Sequence, residues 1–218
     1  GGNKPTGGMG YGAYGSNGFW KTLGQIDGSK DNSDYRLSVS HTQGYGYRIH
    51  QAFSGDIVSL KQIWKPSTGL TIMPIVNYSS YFNQNSEGIN DSIAHHHPTE
   101  PNSDAIRFNE FIKTTKLTGG IVAKASVAEN QSIDVTGFVR AVSFKESNNQ
   151  AVDNRNILAP GASVQYNLDT KGPWFENHLT VGSDMQNQTI DESKPRNLPD
   201  DTRTEKKGEL KEDLVTSD

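Results

Sequence analysis

From Leu158 to Leu168 the sequence "LAPGASVQYNL" alternates residue by residue. Leu158, Pro160, Ala162, Val164, Tyr166 and Leu168 are apolar or ring-bearing, and Ala159, Gly161, Ser163, Gln165 and Asn167 between them are small or polar. Successive side chains of a strand point to opposite faces, so a period of two predicts a strand with one apolar and one wet face. The pattern returns in "SIDVTGFVRAVSF", where Ile133, Val135, Val139 and Ala141 oppose Asp134, Thr136 and Arg140, with Phe138 and Val142 as exceptions. In "LTIMPIVNYSSYF" Ile72, Pro74, Val76, Tyr78 and Phe82 share a side. Pro74 and Pro160 fall inside these segments although proline has no N–H to give to a ladder.

Nine such segments run along the chain: "GMGYGAYG", "FWKTLGQI", "YRLSVSHT", "DIVSLKQIW", "LTIMPIVNYSSYF", "LTGGIVAKASV", "SIDVTGFVRAVSF", "ILAPGASVQYNL" and "WFENHLTVGSDMQ". Helical periodicity is scarce, and the one candidate stretch is "NEFIKTTK". Most segments reach or exceed the ~9 to 11 residues with which a tilted strand crosses a bilayer, against about 5 to 6 for the commonest globular strand. Their connections alternate in length. "DGSKDNSD", "KPSTG", "AENQ" and "DTKGP" are short. Between them come "QGYGYRIHQAFSG", the stretch from Asn83 to Lys116, "KESNNQAVDNRN" and everything after Gln188. Only the first hairpin, closed by "SNG", is short on the long side. In an up-and-down sheet successive connections lie at opposite ends, so the tight turns gather at one end and the long loops at the other. That is the layout of an outer-membrane barrel, all-β and antiparallel, with an apolar outside and a polar lumen. Trp20, Trp64, Tyr81, Phe82, Phe144, Trp174 and Phe175 lie near strand ends, where interfacial aromatic girdles would sit.

Composition supports this picture. Only 32% of the 218 residues are hydrophobic, too few for a thick buried core but sufficient for a wall one strand deep. A net charge of -4 leaves no basic footprint for nucleic acid. No run of ~18 apolar residues exists to form a membrane helix. There is no cysteine, hence no disulfide framework or thiolate metal site. The start "GGNKPTGG", without an initiator Met or an apolar signal core, suggests a portion of a longer protein.

Candidate chemistry is confined to loops. "GYGYRIH" places Tyr45, Tyr47 and Arg48 in one long connection, and aromatic rings with a guanidinium suit a ligand offering flat rings or anionic oxygens. His95, His96 and His97 stand in the longest connection together with Arg107. Three consecutive imidazoles do not readily converge on one ion, so they read as a solvated loop tip rather than a metal site, with ligand contact as the alternative because, with Arg107, they stand in the longest loop. Arg155 is assigned to the next long loop. "GYGAYG" matches G-x-G-x-x-G, but a strand follows it where a dinucleotide site needs a helix. No G-x-S-x-G elbow or paired carboxylate assembles, Asp184 and Glu176 being scattered, so no enzyme activity, cofactor or metal is expected. "DTRTEKKGELKED" reads as a solvated charge run. The sequons at Asn77, Asn90, Asn130 and Asn187 matter only in a eukaryotic secreted protein, and two of them fall in or beside strands.

The stretches "GAYGSNGFWKTLGQIDGSKDNSDYRLSVSHTQGYGYRIHQAF", "RFNEFIKTTKLTGGIVAKASV" and "NHLTVGSDMQNQTID", in this order, resemble the barrel domain of TonB-dependent outer-membrane receptors, energised importers of siderophores and similar scarce nutrients. The resemblance implies that residues 1–218 are the N-terminal part of a barrel of about 22 strands. It implies a plug inside that barrel and a TonB-contacting segment, both outside this sequence. It also implies a ferric siderophore or related ligand, the TonB complex and outer-membrane lipid as partners, and the bacterial outer membrane as the location. Another strand is expected to start at "GELKEDLVTSD". Nine strands alone would leave two open edges, each unpaired backbone group costing several kcal/mol in lipid. The competing expectation is a soluble, secreted β-sandwich that binds carbohydrate or acts as an adhesin, its alternation explained by a second sheet.

Overall fold

The structure is a computed structural model that describes residues 5–199 and the backbone of 205–217. It contains ten strands: β1 (Gly7–Tyr14), β2 (Trp20–Lys30), β3 (Ser33–Gly44), β4 (Phe53–Ser67), β5 (Leu70–Gln84), β6 (Phe111–Ala128), β7 (Gln131–Ser147), β8 (Val152–Lys171), β9 (Glu176–Arg196) and β10 (Glu205–Ser217). They form one antiparallel sheet in sequence order, with β1 and β10 at its edges. The fold is thus an up-and-down barrel wall, open between those edges. The extra strand, β10, takes in residues 208–217, where a further strand was expected to start, and most of the charge run read as a solvated loop.

The tight turns take two residues (31–32, 68–69, 129–130) or four (172–175), and all lie at one end. At the opposite end are residues 15–19, 45–52, 85–110, 148–151 and the connection after Arg196. Asp31 opens its turn at φ 51, a left-handed conformation that Asp tolerates.

Register carries face identity from strand to strand, because directly paired residues share a face. Val135 pairs with Ala123 on β6 and Val164 on β8, and Tyr166 pairs with Ile133 and Val181. Leu37, Leu60 and Val76 continue the same face across β3, β4 and β5. The opposite face carries Arg36, Ser59, Asn77, Thr118, Arg140 and Gln165. Along β8 the apolar-face residues from Asn156 to Val164 are exposed, while Ile157, Ala159, Gly161 and Ser163 between them are buried or half-buried. Side chains crowd one another on the concave side of a curled sheet, so the polar face is the inner one.

Among the described residues no second sheet covers the apolar face, where Val164 is 50% exposed, and the buried apolar side chains are Ala105, Ala151 and Ala159. The sandwich expectation is therefore overturned. Ala159 is hidden on the inner face because Arg140 Nη2 reaches across it to Gln188 Oε1 at 3.0 Å. Phe138 departs from the alternation for a steric reason. Its ring lies over Gly161, where a Cβ would come within 2.3 Å of it, with Gly120 on its other side.

The two prolines are accommodated by interrupting one ladder each. Between β8 and β9 the pairing passes from Leu158↔Thr189 to Gly161↔Gln186, skipping Ala159 and Pro160, while Pro160 still opposes Val139 of β7. Likewise Pro74 opposes Ile121 of β6, and the β4–β5 ladder skips from Lys61↔Ile75 to Trp64↔Ile72. The missing N–H is confined to one neighbour in both cases.

Three expectations need correction. "NEFIKTTK" enters β6 at Phe111 instead of forming a helix. The helices are two single turns just before it, α1 (Asp91–His96) and α2 (Ser103–Arg107), started by Asn90 and Asn102, whose side chains accept from Ile93 N and Asp104 N. "KESNNQAVDNRN" is mostly strand, leaving only residues 148–151 as a turn. Of the expected girdle aromatics, Trp20, Trp64 and Phe82 lie on the apolar face, whereas Tyr81 and Phe144 have the opposite parity and face inward. Trp174 and Phe175 belong to a turn, with Trp174 95% exposed.

Candidate functional site

The connections at the long-loop end are stitched into one cap. Tyr45 N donates to Asn17 O of the first hairpin at 2.8 Å, and Ile49 N to Thr99 O at 2.9 Å. Arg48 is the central pin. Its Nη1 donates to Glu87 O at 2.8 Å, its Nη2 to Ser86 O and Glu100 O at 3.2 and 3.0 Å, and its Nε to Glu100 O at 3.2 Å. One planar guanidinium therefore ties the 45–52 connection to both arms of the 85–110 connection. His50, at φ 64, places Nε2 2.8 Å from Glu110 O. Farther round the rim, Ser147 Oγ donates to Phe108 O at 3.1 Å, and buried Asn197 holds Nδ2 within 3.0 Å of Phe108 O and 2.9 Å of Asn148 O.

With Arg48's donors turned toward carbonyls, the aromatic rings that the 45–52 connection presents outward are Tyr45 and Tyr47, exposed by 67% and 61%, with Ile49 exposed beside them. Tyr45 is held over the first hairpin, its ring so close to Gly18 (φ 64) that a Cβ there would meet it at 2.4 Å. The three histidines stay apart in their interactions. His95 Nε2 faces Asp91 Oδ1 at 3.4 Å, His96 Nδ1 faces Ser92 O at 2.8 Å, and His97 Nδ1 faces Glu100 Oε1 at 3.5 Å. Among the described residues no group of three or more His, Cys, Asp or Glu side chains is placed to hold a metal ion.

Arg107 ends α2 with its guanidinium 5.4 Å from the Phe108 ring centroid. It lines a cavity of about 480 Å³ together with Asn149, Gln150, Arg196 and Asn197. Arg196 was not singled out from sequence, since nothing local distinguishes it from other charged strand residues. Arg155 lies in β8 rather than in a loop. On the inner face it approaches Glu192 and Asp153 at 3.2 and 3.5 Å, and Lys194 joins the same two carboxylates. The candidates thus divide into exposed rings, a structural pin, separate imidazoles, one cavity arginine and one paired inner-wall arginine.

Glu110, at the foot of the long connection, also lacked a sequence signal. It is 2% exposed and its Oε2 has no hydrogen-bond partner among the described residues. Burial first, then the hydrogen bond and charge of Glu87, push its pKa up to about 7, against the opposing pull of a backbone bond from Asn149. As pH rises, the carboxyl of the unfolded loop ionises near 4.5 while the folded one resists until about 7. The resulting stabilisation is complete below the lower value and lost as pH rises through the higher one. Protection of the amides of residues 85–110 is expected to be greater at pH 5 than at pH 8, by about 2 kcal/mol. In hydrogen exchange Glu110→Gln should flatten this profile. An unchanged profile in that variant would remove Glu110 as its source.

No protein-family model and no curated protein sequence matches the chain. Among solved structures its fold is similar to that in the crystal structure of the ferric citrate transporter FecA in the unliganded form. The TM-score is 0.75 at 14% sequence identity, over 97% of this chain and 33% of that one. The chain spans about a third of the length of that structure, and at this identity the similarity shows the fold alone, an antiparallel up-and-down β-barrel wall.

Proposed function

We propose that this chain supplies wall strands and ligand-facing loops to a TonB-dependent receptor of the bacterial outer membrane that imports a ferric siderophore or a similar scarce nutrient complex. In this reading the apolar face meets lipid, the inner face lines the lumen, and the cap faces outward. Ligand is held by the loops and by a plug, and the TonB complex energises plug movement. Tyr45 and Tyr47 stack on the ligand, while Arg48 positions them. Arg107, with Arg196, and Arg155 supply positive charge along the route inward, and His95, His96 and His97 are outer contacts. The observation that carries the reading is a pair of exposed tyrosines on a loop pinned by four guanidinium contacts, at the end where the connections gather.

The test is growth of a receptor-deletion strain on a panel of iron chelates, with complementation by the wild-type gene or by Tyr45→Ala/Tyr47→Ala. Loss of growth on one chelate is expected, with about tenfold weaker binding of that chelate in the double variant. A deletion strain that matches its parent on every chelate removes the siderophore reading.

A further inference from the structure

Phe138, the exception to the alternation in β7, is half-buried on the inner face. A Cβ on Gly161 would lie 2.3 Å from its Cζ and 2.8 Å from both Cε1 and Cε2, so Gly161 sits under the face of the ring and not beyond its edge. The other face of the ring is thereby turned into the lumen. Gly120, paired with Phe138 from β6, puts no side chain at its second flank. Glycine weakens a strand and marks places where a group must come close to the backbone, here a ring laid flat. Two residues along the same face Arg140 repeats the arrangement, its guanidinium extending over Ala159, which is 0% exposed, to Gln188. That is its one side-chain hydrogen bond among the described residues, and no carboxylate there pairs with it. Lys124, Arg155 and Lys194 on this face do pair with carboxylates.

The combination of ring and guanidinium recurs between this patch and the cap. Arg107 lies 5.4 Å from the Phe108 ring centroid, and Phe108 is tied to the top of β7 through Ser147. Three residues down β7, Phe144 faces inward with the Arg155 guanidinium 5.8 Å from its centroid. Phe138 is six residues farther, roughly 20 Å along the strand. Phe138 and Arg140 straddle Val139, which belongs to the apolar run of the outer face, so this step lies within the wall and not at its rim.

We propose that Phe138 and Arg140 form a transit site for the imported complex, a chelate whose flat aryl rings carry anionic oxygens, handed inward from the cap past the Arg107–Phe108 and Phe144–Arg155 pairs. An aryl ring stacks on the open face of Phe138, and its oxygens accept from the unspent guanidinium N–H groups of Arg140, about 7 Å away along the strand. An aliphatic chelate would use the guanidinium alone. Successive weak sites of one chemistry suit passage, because each holds the ligand long enough to enter and lightly enough to leave. The inference rests on the importer reading and adds to it a ligand class and a site inside the wall.

The test expresses the full receptor and its variants in the receptor-deletion strain and offers two radio-iron probes, a ferric tris-catecholate and ferric desferrioxamine, an aliphatic hydroxamate. Binding is measured on energy-poisoned cells and initial uptake on energised ones. The wild type is expected to take up the catecholate and not the hydroxamate. Phe138→Leu/Arg140→Gln, which keeps apolar bulk over Gly161, should lower the saturated uptake rate about tenfold while the dissociation constant on poisoned cells stays within about twofold. Phe138→Tyr with Arg140 intact should keep most of the rate. Undiminished uptake in the Leu/Gln variant overturns the transit site. Binding that falls in step with uptake, or a plug newly open to protease in poisoned cells, overturns it too, because the two side chains then support other parts of the receptor. Uptake of the hydroxamate alone, or of neither probe, overturns the site and its ligand class, while the importer reading itself falls only if the deletion strain matches its parent on every chelate.

Discussion

Val164→Lys is expected to cost about 2–4 kcal/mol of folding free energy in a bilayer, while Gln165→Lys, one residue along, is expected to change it by less than about 0.5 kcal/mol. Val164 lies near the middle of the apolar-face run from Leu158 to Leu168, flanked by Val135 and Ser183 and half exposed with no protein layer over it. On the proposed lipid-facing reading, a lysine there must hold its ammonium near the bilayer midplane or bend its stem a long way to water. Gln165 belongs to the inner face beside Asp134, where an added cation meets water and a carboxylate. Urea titration of folding into vesicles, read by the fraction of heat-modifiable protein, gives both numbers. Equal costs would mean that the apolar row does not face lipid, and the loop assignment would fall with it.

The contrast between these adjacent positions was legible in the sequence because a period of two persists along any strand whose two faces differ in polarity. It fades where both faces are wet, which is where the strand boundaries went astray. β8 begins at Val152 and β9 runs to Arg196 because Asp153, Arg155, Glu192 and Lys194 form cross-strand ion pairs. Such a ladder extends a sheet without any hydrophobic alternation, and so Arg155 read as a loop residue. β10 is a second case, with charges on both parities. The helices escaped for another reason: a single turn is too short to show a 3.6-residue period, and only Asn90 and Asn102, as capping side chains, marked them.

The candidate site was legible in its location and not in its division of labour. Tyr45, Tyr47 and Arg48 were identifiable as aromatic and cationic loop residues, but which of them faces outward depends on carbonyls more than thirty residues away. Arg48 reaches Ser86 and Glu100, and no spacing rule connects residue 48 to residue 100. Glu110 and Asn197 were silent for the same reason, since their roles arise only when separate connections are brought together at one end of the sheet.

Arg48→Ala therefore tests the cap most severely. Each charged hydrogen bond of this kind contributes about 1.5–3 kcal/mol, and contacts made by one group do not add, so the expected loss is about 3 kcal/mol of local stability. Part of that cost is the stranding of acceptors, because Ser86, whose carbonyl accepts from Nη2, is buried. In hydrogen exchange the amides of Ile49 and Asn102, which bond to Thr99 O and Ser86 O, should exchange about a hundredfold faster. Amides between β7 and β8 should be unaffected. Arg48→Lys should recover only part of the protection, since a single ammonium cannot reproduce a planar fork that spans carbonyls of Ser86, Glu87 and Glu100. Because the 45–52 connection is freed by the same change, the ligand binding proposed for Tyr45 and Tyr47 should weaken although neither ring is altered. Unchanged exchange at Ile49 and Asn102 would show that the backbone bonds alone hold the cap, and Arg48 would return to the set of residues free to meet a ligand.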